Sequence, residues 1–336
     1  LCITFTEKAK KEMFDAIYEK AQEKFSDADI MKINIHTFHS FAYNYLLDAG
    51  LISGDIVGNN LMRFSILNSF EKNQALNYGK DYIINTIVPK TENSIRYIKS
   101  FGITPDKIDI KKATSTLEEI FDAKSSRYSL EELKSFLKYF IDAYKEYEKS
   151  KQEAIDYSDM LLMFKEKFKG DKFQHVLVDE MQDMNEIEAD IATMVAKNLF
   201  LVGDAKQAIF GFQGGSVKNF QKFMKTCDKK MLSTNRRSSQ QILDYSKQHF
   251  LKGTSSREDY EKELSVFKGL KTGEIPKVFS TSAHLSKILE VIGENPEKSI
   301  GIITRTNTQI IKISKFLDSN SIEYKSTASQ ASTEQA

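Results

Sequence analysis

The sequence predicts an α/β fold built on a parallel sheet, and three observations support this. Short apolar segments typical of buried strands recur along the chain, as in Leu1–Phe5, His175–Asp179 and Leu199–Val202. Segments with helical apolar spacing separate them, and strands that alternate with helices favour a parallel sheet. The strand-like segments also end on polar residues, at the edge where parallel sheets bind ligands.

The composition is that of a globular protein and excludes several functional classes. The 336 residues are 40% hydrophobic and 28% charged, and the net charge is +1. This balance excludes a globally basic polyanion binder but not a local basic surface. Two cysteines, Cys2 and Cys227, are too few for a disulfide framework or a four-thiolate zinc site. No apolar run reaches the ~20 residues of a membrane span, so we expect a cytoplasmic protein.

The first fifty residues are predicted to hold two strands and two helices. Leu1–Phe5 is the first strand, and Thr6 follows it as a helix N-cap. Apolar residues at i, i+4 spacing continue that helix to about Phe25. Lys32–His36 is the second strand candidate, and Phe41–Leu47 is the helix after it. The residues that follow both strands are therefore expected at one edge of the sheet.

Residues 51–150 have a different character from the segments on either side. They contain several helical patterns, such as Leu61–Phe70 and Leu130–Tyr147, and no convincing strand. We therefore predict an all-helical subdomain of residues 51–150. It would be inserted between residues 1–50 and 151–228, which together form the first α/β domain.

A further α/β unit is predicted over residues 229–325, with a helix at Thr308–Leu317. Residues 326–336 are rich in Ser, Thr, Ala and Gln, which is typical of a disordered or truncated tail. The strand candidates of this unit are Met231–Thr234, Lys277–Ser280 and Ile300–Thr304.

The strongest chemical signal is a pair of adjacent carboxylates, Asp179 and Glu180, directly after the apolar strand segment Val176–Val178. Such a pair suits a magnesium–nucleotide site. One carboxylate holds the ion, usually through water, and the next polarises the attacking water. A solvated Asp-Glu pair at a strand end is the alternative that these residues leave open. Acidic residues predominate over 151–200, whereas the basic excess of 201–250 suggests a phosphate-contacting surface.

Several segments resemble, in the same order, motifs of the UvrD/Rep family of superfamily 1 DNA helicases. Asp179–Asp183 (DEMQD) and Val202–Gly215 (VGDAKQAIFGFQGG) resemble motifs II and III. Further segments resemble the family's TFTNKAA motif (Thr4–Ala9), TFHSF motif (Thr37–Phe41), DFDDLL motif (Asp156–Leu161) and LxxNYRS motif (Leu232–Ser238). Ile302–Asn307 resembles the next strand of the family.

The resemblance implies a fold and an activity. The fold is a RecA-like parallel-sheet motor domain with the inserted helical subdomain, followed by the first part of a second RecA-like domain. The activity is ATP-driven helicase or translocase action on single-stranded DNA, three-prime to five-prime, in DNA repair or replication. ATP and Mg²⁺ are the implied cofactors, and single strands or single–double-strand junctions are the implied partners. The protein would be nucleoid-associated if its source is prokaryotic.

The resemblance also implies roles for individual residues at the nucleotide. Asp179 would anchor magnesium through water, and Glu180 would be the catalytic base. Gln207 would sense the γ-phosphate, and Arg237 would contact it from the second motor domain. Arg236 stands where the family has a tyrosine that stacks on adenine, and an arginine can also stack on a base.

Single-stranded DNA would lie across the same edge of the sheet. By resemblance, Phe210 and Phe212 would stack on bases, although a place in the core of the loop stays open for either aromatic. Gln213 replaces a family arginine, which removes a cationic contact with DNA. The remaining DNA-contacting candidates are Phe5, Thr6, Thr37, His39 and Ser40.

The sequence departs from the family most clearly by lacking a G-x-x-x-x-G-K-[ST] phosphate loop. In the family this loop lies upstream of the TFTNKAA motif, and the late motifs lie further downstream. We therefore expect an internal fragment that does not hydrolyse ATP by itself. Two alternatives remain open, namely the motor part of a helicase–nuclease and a degenerate module that binds single strands without turnover.

Overall fold

The computed structural model describes residues 1–53, 55–73, 78–123, 129–208, 217–254 and 257–326. The chain divides into two compact units, Leu1–Lys229 and Lys230–Ala336. None of the described helices is long and apolar enough to cross a membrane.

The first unit is built on a four-stranded sheet in which all paired strands are parallel, as predicted. Its strands are β1 (Cys2–Thr4), β2 (Ile35–Thr37), β3 (Phe173–Val178) and β4 (Ala196–Leu201), in the spatial order β2-β1-β3-β4. Because the strands are parallel, their carboxyl ends lie at a single edge. The residues that follow β1, β2, β3 and β4 are thereby brought to that edge.

The limits of all four strands differ by one to three residues from the sequence prediction, and β2 and β4 show why. β2 begins at Ile35 rather than Lys32, because its pairing with β1 starts at Ile35, opposite Cys2. The helix that precedes β4, Glu186–Val195, ends one residue before the strand begins. β4 therefore begins at Ala196, before the predicted start at Leu199, since Ala196 has extended backbone angles and pairs with Phe173.

Helices flank this sheet, and polar side chains cap several of them. Thr6 accepts a hydrogen bond from the Ala9 amide at the start of α1, which confirms its predicted N-cap role. Thr37, Asp156 and Asn185 form capping boxes at the starts of α3, α9 and α10. These helices are α1 (Glu7–Ala21), α2 (Asp27–Ile30), α3 (Phe38–Asp48), α9 (Tyr157–Lys167), α10 (Glu186–Val195) and α11 (Val217–Thr226).

The core beside the sheet is apolar and continuous. It includes Ile3 of β1, Phe41 of α3, Phe164 of α9, Val178 of β3 and Ile191 of α10. Ile3, Phe164 and Ile191 are fully buried. Burying side chains of this size contributes roughly 1.5–3 kcal/mol each. The core therefore fixes the strand ends on which the polar residues are carried.

Between β2 and β3 the chain forms a helical region with its own buried cluster. This cluster includes Ile66 and Phe70 of α4 and Tyr144 and Tyr147 of α8. The backbone around this region passes through a parallel bridge between Ile56 and Ile155. Its helices are α4 (Asn59–Lys72), α5 (Lys80–Tyr82), a π-helical turn (Ile83–Ile87), α6 (Val88–Lys99), a 3₁₀ turn (Pro105–Lys107), α7 (Ile110–Ala123) and α8 (Leu130–Ser150).

The second unit contains a two-stranded parallel sheet of β5 (Thr234–Ser239) and β6 (Lys268–Lys271). The strand predicted at Met231–Thr234 instead begins at Thr234, because the ladder with β6 starts there. Lys277–Ser280 and Ile300–Thr304, both fully described, form no ladder, and a strand without a neighbour leaves its backbone groups to solvent. The helices of this unit are α12 (Gln240–Gly253), α13 (Arg257–Leu264), α14 (His284–Glu294) and α15 (Asn307–Ser319).

Candidate functional site

The predicted carboxylate pair lies where β3 leaves the sheet. The Asp179 amide donates to the Ile3 carbonyl at 3.1 Å, and the Met181 amide donates to the Val202 carbonyl at 2.8 Å. These bonds continue the sheet pairing beyond the last residue of β3. Asp179 and Glu180 are therefore attached to rigid backbone at the carboxyl edge of the sheet.

Glu180 has a left-handed backbone conformation, with φ of 52°. For a residue other than glycine this conformation costs of order 1–3 kcal/mol, so the surrounding contacts must hold it in place. The Asp179 carboxylate supplies one such contact by accepting from the Glu180 amide at 2.9 Å. The turn leaves the Glu180 side chain exposed to solvent beyond the strand. Strained residues of this kind cluster at functional sites.

A buried glutamine connects this turn to the segment after β4. Gln182 is 2% exposed, and its Nε2 donates to Glu180 Oε2 at 2.7 Å. Its Oε1 accepts from the Asp204 amide at 3.0 Å. The Asp204 carboxylate in turn accepts from Gln207 Nε2 at 3.1 Å and pairs with Lys206 Nζ at 2.8 Å. The structure thus joins the predicted base, Glu180, to the predicted γ-phosphate sensor, Gln207, by three hydrogen bonds, the middle one of which comes from the Asp204 backbone amide.

The approach of the two segments requires a glycine between them. A Cβ atom added to Gly203 would lie 2.5 Å from Met181 Cγ and 2.6 Å from Gln182 Oε1. Both distances are shorter than real Cβ contacts, so any larger residue would push the segments apart. Gly203 therefore allows the Asp204 amide to reach Gln182.

Three carboxylates at this edge, Asp179, Glu180 and Asp183, form a set that we name the carboxylate edge. Among the residues that the structure describes, no lysine or arginine pairs with any of them. One buried carboxylate oxygen of Asp183 has no hydrogen-bond partner. Burial raises the pKa of Asp183, and the charge of Glu180 raises it further. Carboxylate oxygens are the ligands that Mg²⁺ prefers, so each of these carboxylates is a candidate ligand for a magnesium ion.

A fourth carboxylate lies beneath this edge, in the first turn of α10. Glu188 is buried, and its carboxylate accepts from the Asn185 amide at 2.9 Å. Burial raises the pKa of Glu188 to about 7, although the hydrogen bond from Asn185 acts in the opposite direction. This carboxyl group therefore stays largely protonated at mildly acidic pH.

The predicted DNA-contacting residues lie at the ends of β1 and β2. Phe5 is half-buried and packs edge-on against Phe38, with ring centroids 6.2 Å apart. His39 packs edge-on against Tyr157 at 5.5 Å. Burial lowers the pKa of His39, whereas the Asp156 carboxylate raises it, so the ring is mainly neutral at pH 7.

Three hydroxyl groups at this end of the sheet already have local partners. Thr6 caps α1, and the side chains of Thr37 and Ser40 complete the capping box of α3. Thr37 Oγ1 accepts from the Ser40 amide at 3.1 Å, and Ser40 Oγ accepts from the Thr37 amide at 2.8 Å. If these hydroxyl groups contact DNA, they must do so while they also cap their helices. Phe210, Phe212 and Gln213 lie outside the described residues.

Arg236 and Arg237 belong to the second unit, where both lie exposed in β5. Asn235 Oδ1 accepts from the Arg237 amide at 2.9 Å and from the Ser238 amide at 2.7 Å. The asparagine of the LxxNYRS-like segment therefore fixes the backbone from which both guanidinium groups extend.

The structure also contains a buried group of charges that the sequence analysis did not identify. It comprises Glu148, Asp156 and Asp159 with Lys99 and Lys151, and we name it the ion cluster. Lys99 Nζ lies 2.8 Å from Glu148, 2.6 Å from Asp156 and 2.7 Å from Asp159. Lys151 Nζ lies 2.7 Å from Glu148 and also contacts Asp159. The ion cluster joins the ends of α6 and α8 to the start of α9.

The carboxylates of the ion cluster have the spacing of a metal site but already bind two ammonium groups. Their oxygens lie within 4.8 Å of one another. Burial would raise the pKa of Asp156, yet Lys99 and Lys151 hold it at about 2. Burial would likewise lower the pKa of Lys99, but Asp156 and Asp159 raise it. The two lysines thus take the place that a cation would occupy.

Comparison with known protein families shows to which family the chain belongs. A family model described as the UvrD/REP helicase N-terminal domain matches residues 1–228. The chain belongs to this family. The matched residues include β1–β4, the carboxylate edge and the helical region.

Curated relatives in this family are similar over most of the chain. A probable DNA helicase II homolog of Mycoplasma pneumoniae is 26% identical over 95% of this chain and 45% of its own length. A second, from Mycoplasma genitalium, is 29% identical over 80% of the chain and 38% of its own length. The ATP-dependent DNA helicase PcrA of Leuconostoc citreum is 27% identical over 73% of the chain and 32% of its own length. The chain thus spans less than half the length of these relatives.

Proposed function

We propose that the whole protein is an ATP-dependent helicase or translocase on single-stranded DNA, acting three-prime to five-prime in DNA repair or replication. The observation that carries this proposal is the carboxylate edge in a chain of the UvrD/REP helicase family. Asp179 and Glu180 lie at the end of a parallel strand, no described cation neutralises them, and hydrogen bonds connect them to Gln207. The names of the relatives support the same activity.

Each residue of this edge has a separate proposed role. Asp179 holds the magnesium ion through water, and Glu180 accepts the proton of the attacking water. Gln207, exposed at the end of its turn, donates its amide to the γ-phosphate. The magnesium ion, when bound with ATP, neutralises the charge that develops on the phosphates.

The second unit supplies the remaining nucleotide contacts in this proposal. Arg237 contacts the γ-phosphate, and Arg236 stacks on the base in place of a tyrosine. We further propose that residues 1–50 and 151–228 form a RecA-like motor domain and that residues 51–150 are a helical insertion in it. Residues 229–325 would then begin a second RecA-like domain.

Single-stranded DNA is the proposed partner at the neighbouring strand ends. Phe5, Phe210 and Phe212 would stack on bases, because every base offers a π-face whatever its sequence. Thr6, Thr37, His39 and Ser40 would contact the DNA backbone. The three hydroxyl groups among them would do so while they also cap their helices. The mainly neutral His39 ring would act through hydrogen bonding rather than through charge. A cytoplasmic location agrees with this partner.

ATP hydrolysis by the whole protein, with and without single-stranded DNA, tests the proposal. We expect DNA-stimulated turnover in the wild type and a loss of at least about 100-fold in kcat for Glu180→Gln, because the base is removed. Nucleotide affinity should stay nearly unchanged, since Asp179 remains. Glu186→Gln, an exposed glutamate in the first turn of α10, is the matched control and should retain activity.

The other functional interpretations predict different results in the same assay. A wild-type protein that binds single strands but hydrolyses no ATP would be a non-catalytic binding module. Turnover accompanied by DNA cleavage would indicate the motor part of a helicase–nuclease. The 336-residue chain alone should show no DNA-stimulated hydrolysis, because it contains no phosphate-loop motif.

A further inference from the structure

The side chain of Gln182 connects two segments of the carboxylate edge that are distant in sequence. Its Nε2 donates to Glu180 at 2.7 Å, and its Oε1 accepts from the amide of Asp204, 22 residues away. The residue is 2% exposed. Both ends of the side-chain amide are thus used, and neither hydrogen bond belongs to a strand, a helix or a helix cap.

We propose that Gln182 is a positioning residue that holds the Glu180 carboxylate in place and links it to the turn that carries Gln207. The inference rests on the proposed function, in which Glu180 is the base and Gln207 senses the γ-phosphate. Gln182 itself touches neither nucleotide nor attacking water. It acts through Glu180 on one side and through Asp204 on the other.

The first step of the argument concerns the freedom of Glu180. Its side chain is exposed, and an exposed glutamate samples several rotamers. Among the residues that the structure describes, the amide of Gln182 is the side-chain donor that its carboxylate contacts. A hydrogen bond from a buried donor to a carboxylate is among the stronger ones in proteins. The bond therefore selects one position of the carboxylate.

The second step concerns the turn after β4. Asp204 accepts from the Lys206 amide at 3.0 Å and from Gln207 Nε2 at 3.1 Å, so its carboxylate organises the 3₁₀ turn Ala205–Gln207. The amide of the same residue binds Gln182. If the Gln207 side chain changes its hydrogen-bond partner, the contacts of Asp204 change. Gln182 is the next group in this series of hydrogen bonds.

The third step concerns why a glutamine is needed. Gln182 faces a carboxylate on one side and an amide N–H on the other, so it must donate at one end and accept at the other. Rotating the amide by 180° would set a donor against a donor and an acceptor against a carboxylate. Glutamate could accept from Asp204 but could not donate to Glu180 when ionised, and methionine could do neither.

These differences define the experiment, which has one arm without nucleotide. Hydrogen exchange of the Asp204 amide is measured by NMR on the nucleotide-free whole protein. Exchange in Gln182→Met should be roughly two- to tenfold faster than in the wild type, because the acceptor is lost. Gln182→Glu should retain the wild-type protection, because an acceptor remains. The Met181 amide, bonded to Val202, should stay protected in both variants and reports that the turn is folded.

The second arm measures DNA-stimulated ATP hydrolysis by the same proteins. We expect kcat to fall by about tenfold or more in both Gln182→Met and Gln182→Glu, with KM for ATP changed less than about threefold. Loss of kcat in Gln182→Glu, whose Asp204 amide stays protected, separates positioning from folding. Gln174→Met is the matched control, because Gln174 is exposed on β3, the strand that leads into the turn of Gln182, and should leave both readouts unchanged.

The two arms distinguish this inference from the proposed function. If the wild type hydrolyses ATP and Gln182→Glu retains its kcat, the positioning role is wrong and the proposed function stands. If the wild type hydrolyses no ATP, the proposed function fails. In that case the exchange arm still tests the connection, and unchanged Asp204 exchange in Gln182→Met would overturn it.

Discussion

Two groups of three carboxylates lie in the first unit, and their surroundings differ in one decisive respect. The ion cluster surrounds its carboxylates with the ammonium groups of Lys99 and Lys151, which lie 2.6 Å from Asp156 and 2.7 Å from Glu148. The carboxylate edge has no paired lysine or arginine among the described residues, and a buried oxygen of Asp183 there lacks a hydrogen-bond partner. The residue types are the same, but the charge balance is not.

This difference indicates which carboxylates maintain the fold and which are kept for a ligand. A buried ionised carboxylate without a cation is costly, so those of the ion cluster need their lysines, whereas the exposed Glu180 and the half-buried Asp179 and Asp183 keep access to solvent or a ligand. The ion cluster carries its compensating groups in the chain itself, between the helical region and α9. In the proposed function, the carboxylate edge leaves that place to a magnesium ion that binds together with the nucleotide.

The largest expected effect on stability is that of breaking the ion cluster. Lys99→Met should lower the free energy of unfolding by about 3–5 kcal/mol, because it leaves the buried carboxylate of Asp156 without its closest cation. Urea unfolding followed by tyrosine fluorescence measures the loss, since the chain contains no tryptophan.

Lys165→Met is the control for this change. Lys165 pairs with Asp190 at 2.6 Å, but both side chains are more than a third exposed. Its removal should cost about 0.2–1 kcal/mol. Equal losses for the two lysine variants would show that the ion cluster does not carry the stability assigned to it.

The next effect is the pH dependence of stability, which differs between a buried carboxyl group without a cation and one that is paired. Glu188 has a pKa of about 7 in the folded protein and 4.5 in the unfolded chain. Its contribution to stability is therefore complete below pH 4.5 and is lost as pH rises through 7, about 3 kcal/mol in all. Asp156, whose pKa is lowered from 3.8 to about 2, behaves in the opposite way: its contribution is complete above pH 3.8 and is lost as pH falls through 2.

Glu188→Gln isolates this contribution. A glutamine keeps the acceptor for the Asn185 amide and stays neutral at every pH. The difference in unfolding free energy between variant and wild type should grow in favour of the variant from pH 5 to pH 8. Comparing variant and wild type at the same pH removes the contributions of titrating groups that the two proteins share, such as His39, whose pKa is lowered by burial. A difference that does not change with pH would contradict the assigned shift.

A smaller effect is expected from the close approach at Gly203. Gly203→Ala should destabilise the first unit by about 1–3 kcal/mol, because the new Cβ meets Met181 Cγ and Gln182 Oε1. Gly293→Ala, at a position with no atom within 4 Å of the new Cβ, should instead stabilise α14 by about 0.5–1 kcal/mol. Thermal unfolding compares them, and equal shifts in Tm would argue against a strained contact at Gly203.

The sequence predicted those parts of this comparison that depend on local patterns. The cap at Thr6 and the parallel sheet follow from apolar spacing and capping chemistry. The same reasoning placed Asp179 and Glu180 at a strand end, because a carboxylate pair directly after an apolar strand is visible within a few residues.

Contacts between distant segments could not be predicted in this way. Lys99 meets Glu148 and Asp156 across 49 and 57 residues, and a lysine at the end of a helix gives no local sign that it is buried. Gln182 was visible within the DEMQD segment, but its second partner is an amide 22 residues away. Strand limits in the second unit also depend on the pairing partner, as β5 shows.

The central claim is that the carboxylate edge binds a cation together with a nucleotide. The most direct measurement is the affinity of the whole protein for a non-hydrolysable ATP analogue, with and without Mg²⁺, in the wild type and in Asp179→Asn. We predict that Mg²⁺ strengthens binding by about tenfold or more in the wild type and that Asp179→Asn loses this gain. Affinities without Mg²⁺ should be similar. An equal gain from Mg²⁺ in the two proteins would contradict the account.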